Sequence, residues 1–243
     1  MLLKTYSLQQ NQLEVFGHAL FPITFQVWQN RVIDLPDTGT HFGYTYQGLA
    51  SLTVPAKAEA YPLHPGMYFC LPGKGGIGGK ETSGIVITHP SYRGMFSLGG
   101  PIETQGRFAY IDGGTSSLLI PPVLRGDPCL NAMYFPPATE QTSHTHPSDR
   151  LGVVVEGQGE CKTPQETAHL QPGIIFWIPA NSLHQFCTKD NKLTVVVFHP
   201  DSDTGFTHQD NPMLNRTLVG EVSAAELPQI QTKMTSDRPK ANT

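Results

Sequence analysis

The chain has 243 residues, of which 38% are hydrophobic and 15% charged, too apolar for a disordered protein and long enough for one large or two small cores. A formal net charge of −4 without any cluster of Lys and Arg argues against a nucleic-acid or anionic-membrane surface, both of which need concentrated positive charge, and points to a small-molecule partner. The 24 Gly and 21 Pro, scattered along the chain, predict many short strands joined by tight turns, an all-β protein.

In chain order, the opening "MLLKTYSLQQ" has no apolar signal segment, and the longest apolar runs, "TVVVF" and "GIIFWI", are strand-sized, so the expectation is a cytoplasmic protein without a membrane helix. Cys70, Cys129, Cys161 and Cys187 are far apart and form no C-x-x-C, which suits free thiols in a reducing compartment. Phe42 to Leu52 ("FGYTYQGLASL") aligns with Leu151 to Cys161 ("LGVVVEGQGEC") at an offset of 109. His64 to Gly73 ("HPGMYFCLPG") aligns with Gln171 to Ala180 ("QPGIIFWIPA") at 107, and Val86 to Pro90 with Val196 to Pro200 at 110. Three ordered matches at nearly one offset predict two copies of one β unit, each of strands separated by a glycine turn and a Pro-Gly turn. The expected division is an N-terminal barrel over 1–100, a second over 101–222 and a polar tail over 223–243, with a short helix near "GEVSAAELPQIQ". "GKGGIG" (Gly73 to Gly78) satisfies G-x-G-x-x-G, but the following "KETSGIVITHP" reads as a strand where a dinucleotide site needs a helix, so a flexible loop is expected there.

The segment "TSHTHPSDRLGVVVEGQGEC" carries the chemistry. A strand puts residues i and i+2 on one face, so His144 and His146 aim at one point. An isolated H-x-H is more readily a pair of surface histidines; here a third, His184, follows the strand "GIIFWIP" after a short turn. Three imidazoles on one side suit Fe, Zn, Ni, Cu or Mn and leave positions for water or substrate. Cys187, three residues beyond His184, reads as a buried spectator thiol.

These motifs resemble the two cupin motifs, G-x5-H-x-H-x3,4-E-x6-G and G-x5-P-x-G-x2-H-x3-N. His144, His146 and Gly157 match the first, and Gly173, Pro179 and His184 the second, with spacings kept. With the repeat, the resemblance is to bicupins and covers nearly the whole chain. It implies two tandem jelly-roll-like β-barrels, the second holding one divalent metal on His144, His146 and His184. The departures are Ala138 for the leading glycine, Asn181 for the glycine of the second motif, Thr188 for the final asparagine, and Arg150 for the glutamate ligand, with Asp149 just before it. Guanidinium cannot ligate a cation, so the first shell is three neutral histidines unless Asp149 serves as a fourth ligand. In the first copy the alignment places Leu35, Asp37 and Ile77 at the three histidine positions, which predicts a metal-free N-terminal barrel.

Neutral ligands leave the metal's charge uncompensated, so an anionic substrate bearing a carboxylate or enolate is expected. Arg150 would pair with it or turn to an acid such as Asp149 or Glu156, and Gly152 would leave room for it. All-histidine cupin sites resemble those of Fe(II) dioxygenases that cleave rings and diketones or oxidise thiols. That resemblance favours iron over Zn, Ni or Mn and a dioxygenase over the alternatives, a Lewis-acid isomerase, lyase or hydrolase and a non-catalytic binding module. Tyr134, Gln158 and His199 are the candidate proton donors or hydrogen-bond partners beside the metal, and the assembly expected is a monomer or a homodimer through barrel edges.

Overall fold

The computed structural model of the chain describes residues 3–11, 13–16, 21–55, 58–207 and 211–232. The first half contains β1 (Lys4–Ser7), β2 (Leu13–Phe16), β3 (Ile23–Gln29), β4 (Val32–Leu35), β5 (Thr40–Gln47), β6 (Ala50–Val54), β7 (Glu59–Leu63), β8 (Tyr68–Pro72), β9 (Gly75–Gly78), β10 (Ser83–His89) and β11 (Ser97–Gly99). The second contains β12 (Phe108–Ala109), β13 (Thr115–Ile120), β14 (Cys129–Phe135), β15 (Arg150–Gly157), β16 (Gly159–Lys162), β17 (Thr167–Leu170), β18 (Ile174–Ile178), β19 (Gln185–Cys187) and β20 (Leu193–His199). A short helix α1 (Pro212–Arg216) and the ribbon of β21 (Leu218–Val219) and β22 (Val222–Ser223) follow. The helix expected near residues 220–231 is only a 3₁₀ turn, Ala224–Glu226, and the end of the expected tail, 233–243, lies outside the described residues. No helix among the described residues is long and apolar enough to cross a membrane.

The repeat is legible in the strand order. One large sheet runs β11-β8-β5-β10-β3-β2 and the other β1-β18-β15-β20-β14-β13-β12, so β8-β5-β10-β3 and β18-β15-β20-β14 have the same order. Each large sheet closes on a small one, β4-β9-β6-β7 in the first half and β17-β16-β19 in the second. Two all-β barrels result, and their large sheets pack back to back.

This four-layer stack explains why the central strands read as unbroken apolar runs: both faces are buried. Along β20, Val195 and Val197 face the interior of the second barrel, whereas Val196 and Phe198 face the other barrel. Along β10, Val86 points into the first barrel and Ile85 and Ile87 into the shared layer. Phe16 stacks on Trp177 across that layer with ring centroids 4.6 Å apart, and Phe42 meets Phe198 at 5.0 Å. The leading strand crosses over: β1, counted with the first unit in the sequence, pairs with β18 of the second sheet, while β11, at the end of the first unit, stays with β8 of the first sheet.

The expected loop "GKGGIG" is instead the buried strand β9, which pairs with β4 and β6. Glycine is what lets this strand lie so close to its neighbours; a Cβ on Gly75 would stand 2.4 Å from Leu71 Cδ2. Two glycines matched by the repeat have a common role. Gly43 lies opposite Phe69 and Gly152 opposite Phe176, and in each pair the ring covers the glycine. The room expected above Gly152 for a ligand is therefore filled by Phe176. A Cβ at Gly152 would come within 2.4 Å of Phe176 Cζ, so Gly152→Ala is expected to destabilise the fold by about 1–3 kcal/mol through overpacking, measured by urea unfolding.

Candidate metal centre

In the first barrel β4 closes against β9. The corresponding segment of the second barrel is a loop held to the sheet by isolated bridges, Glu140 with Cys187 and His144 with His184. His144 N–H donates to His184 O at 2.9 Å and His184 N–H to His144 O at 3.0 Å, so the bridge fixes the two backbones facing each other. Asn181 N–H donates to His146 O at 2.7 Å and ties in the third histidine. Asn181 and Ala138, the two replacements of motif glycines, both hold left-handed backbone at φ 59°.

The side chains converge: one ligand nitrogen from each of His144, His146 and His184 lies within 4.8 Å of the others. Nδ1 of His144 is 2.8 Å from Thr142 O, and Nδ1 of His184 is 2.8 Å from Ser182 O. A carbonyl only accepts, so each Nδ1 carries the proton and each Nε2 keeps its lone pair, the tautomer a metal ligand needs. Burial and then the charge of Arg150 lower the pKa of His146 to about 3. Burial also lowers that of His184 to about 4, against a smaller upward effect of its bond to Ser182. Both imidazoles are therefore neutral at pH 7. These three residues fit a divalent metal with nitrogen-type ligation.

The histidines open onto a cavity of about 400 Å³, with Met133, Phe135, Phe176, Phe186 and Val197 among its walls. Arg150 and His199 lie at one end, on strand positions beside the Leu151–Phe198 pair. Arg150 is 5% exposed. Its Nη1 donates to Ser148 Oγ at 2.6 Å and to the carbonyls of Ser148 and Asp149, each at 3.1 Å. Asp201, itself hydrogen-bonded by Ser148, is 3.8 Å from Nη1, while the Arg150 Nε is buried without a hydrogen-bond partner. His199 is half-buried, and burial, Arg150 and His146 hold its pKa well below the ordinary value.

Asp149 is not in the ligand cluster. Its Oδ2 accepts from Trp177 Nε1 at 3.0 Å and its Oδ1 from Ala180 N–H at 2.8 Å, which fastens the start of β15 to the end of β18. Arg150 accordingly pairs with neither the Asp149 carboxylate nor Glu156 but faces Asp201. Cys187 also stands apart from the cluster; its Sγ accepts from Gln185 Nε2 at 3.3 Å.

Two expected neighbours of the metal lie elsewhere. Tyr134 shares the face of Leu130, toward the other barrel, because the cavity takes the alternate residues Cys129, Asn131, Met133 and Phe135 of β14. Gln158 is exposed on the turn after β15 and lines a separate surface cavity. In the first barrel the register corrects the alignment: Gly75, not Ile77, stands opposite Leu35 as His184 stands opposite His144. Ile77 pairs with Leu52 as Phe186 pairs with Cys161. Leu35 and Gly75 offer no ligand atom, and Asp37 accepts from Lys74 N–H at 3.2 Å.

Two cavity residues were not anticipated. Gln141 is 1% exposed, and its Oε1 must be the atom accepting from Phe186 N–H at 3.2 Å, which leaves its Nε2 buried and unpartnered. Tyr110 places its hydroxyl 3.4 Å from His144 Nε2. The spacing of the histidines gives no sign of Tyr110, which arrives from an irregular segment 34 residues away.

The cupin-domain family model matches residues 131–199, the stretch that carries all three histidines. The second barrel thus carries a cupin domain. No curated protein matches this chain. Among solved structures it is similar to a cupin 2 conserved barrel domain protein from Leptotrichia buccalis, at 12% identity and a TM-score of 0.58, over 82% of this chain and 89% of that one. It is similar also to the salicylate 1,2-dioxygenase of Pseudaminobacter salicylatoxidans, at 10% identity and a TM-score of 0.59, over 82% and 84% of the two chains. A glyoxylate-induced protein from Pseudomonas aeruginosa aligns at 14% identity and a TM-score of 0.57, over 84% and 82%. At these identities the likeness is one of fold.

Asp149→Asn is expected to cost about 1–3 kcal/mol of stability, because one buried donor loses its acceptor, and to leave the metal content per chain unchanged. Metal analysis beside urea unfolding separates that role from ligation. For the metal-free protein, the folded state keeps His146 and His184 neutral to about pH 3 and 4, whereas unfolded histidines protonate near 6.5. The unfolded state thus binds more protons below pH 6.5, so stability should fall as pH drops from there toward 4. His146→Gln should flatten that fall in denaturation curves taken across the range.

Proposed function

We propose that this protein is a metal-dependent dioxygenase that holds Fe(II) on His144, His146 and His184 and acts on a small organic anion. The observation that carries the reading is the donor set: imidazoles converge on one point with no carboxylate among them. Neutral ligands leave a divalent metal's charge intact, and the buried Arg150 adds to the positive potential of the cavity. An anionic substrate relieves that imbalance. The unpartnered Nε of Arg150 is the donor available to a substrate carboxylate or enolate.

The walls fit an organic body on that anion. Phe135, Phe176 and Phe186 present aromatic surface, and the unpartnered amide of Gln141 offers a donor to a substrate oxygen. The salicylate 1,2-dioxygenase that shares this fold has been solved as adducts with gentisate, a ring-bearing carboxylate, which supports the same class of substrate here. When bound, Fe(II) supplies the redox partner that lets an organic substrate react with O₂. The protein's own part is to orient the anion through Arg150 and to exclude water with the apolar walls.

Untagged protein purified without chelators is expected to contain about one equivalent of iron per chain, lost in His146→Ala, and to consume O₂ with gentisate or another carboxylate-bearing aromatic. Arg150→Met should retain the metal and lower substrate affinity by about ten-fold or more. Zinc, nickel or manganese in place of iron, with turnover unaffected by removing O₂, would assign Lewis-acid chemistry instead.

A further inference from the structure

Outside the ligand set and the anion site, the cavity holds a tyrosine hydroxyl that touches a ligand histidine. Phe108, Ala109 and Tyr110 form part of the cavity wall, and their segment touches the histidine loop at two points. At one, Asp112 Oδ2 accepts from Thr142 N–H at 2.6 Å. Thr142 is the residue whose carbonyl orients the His144 ring, so the wall and the ligand are held in one frame. Asp112 itself sits at φ 52°, ψ 43°, a left-handed conformation that Asp accepts more readily than most non-glycine residues.

At the second point the half-buried Tyr110 hydroxyl lies 3.4 Å from His144 Nε2. Because Nδ1 of His144 is already donating to Thr142 O, Nε2 can only accept, and the tyrosine is the donor. That lone pair is the one a metal would take. The hydroxyl then loses its acceptor while its backbone stays clamped through Asp112, and the charge of Arg150 extends to the same place.

We propose that Tyr110 is a ligand-contacting residue of the cavity, its hydroxyl passing from His144 Nε2 to an anion bound beside the metal once the metal occupies that nitrogen. The inference rests on the metal reading above and adds the group that senses whether the site is loaded. Tyr110 is then the second anion contact, with Arg150 the first.

Azide titration of the cobalt-loaded full chain, followed by visible absorption, tests this without a substrate or turnover. Tyr110→Phe is expected to keep one cobalt per chain, with metal affinity equal to or above wild type because a competing hydrogen bond is gone. Its azide affinity should fall about ten-fold, the worth of one hydrogen bond to a charged acceptor. Tyr134→Phe, on the opposite face of its strand, should match wild type in both. Unchanged azide affinity in Tyr110→Phe with cobalt bound would overturn the inference and leave the metal reading standing. Loss of cobalt from that variant would also overturn it, since the hydroxyl would then serve the ligand set itself. Wild type that takes up no cobalt would overturn both.

Discussion

Everything distinctive about the second barrel depends on the pair of backbone hydrogen bonds between His144 and His184. They join a loop with little regular pairing to the small sheet at the point where two imidazoles must meet. Each ring then folds back onto the carbonyl two residues before it, so orientation and tautomer are set by backbone alone. No carboxylate is needed to hold the histidines, which leaves Asp149 free to lock Trp177 and Ala180. The cost is that burial keeps His146 and His184 neutral, and that is tolerable because imidazole is largely uncharged near pH 7.

The two barrels share one plan and differ in how their mouths are closed. In the first, β4 pairs along its whole length with a glycine strand, and Trp28, Leu71 and Ile77 fill the interior. In the second, the equivalent stretch bows out as the histidine loop, and a cavity takes the place of packed side chains. The first barrel contributes a broad apolar surface that covers the back of the second. The large sheet carrying β14, β15, β18 and β20 is thereby buried on both faces, a rigid floor for the cavity.

Much of this was legible in the sequence because it is local. The histidine spacing, the Asn181 turn and the repeat of glycine turns each span a few residues, and strand geometry converts such spacings directly into facing. For the misplacement of Tyr134, Gln158 and Ile77 the cause is loss of parity or register over distance. β14 is buried on both sides, so alternation of polarity could not tell that Tyr134 faces away. The register of β15 shifts between Val154 and Glu156, before the turn that carries Gln158 outward. A two-residue difference in alignment offset exchanged Gly75 for Ile77. Tyr110 and Gln141 act through tertiary neighbours, Tyr110 from a separate segment, and no short pattern announces them.

The crossing of β1 into the second sheet bears on how the chain is made. β1 leaves the ribosome long before its partner β18, which begins at Ile174. At roughly 5–20 residues per second, β1 waits on the order of 10–30 s with its hydrogen-bonding groups unpaired. β11, by contrast, emerges shortly after β8 and can complete the first sheet at once. The nascent chain thus carries an assembled first sheet and, ahead of it, a free strand. Lys4 and the short length of β1 are the features that keep such a strand from pairing with a neighbouring chain meanwhile.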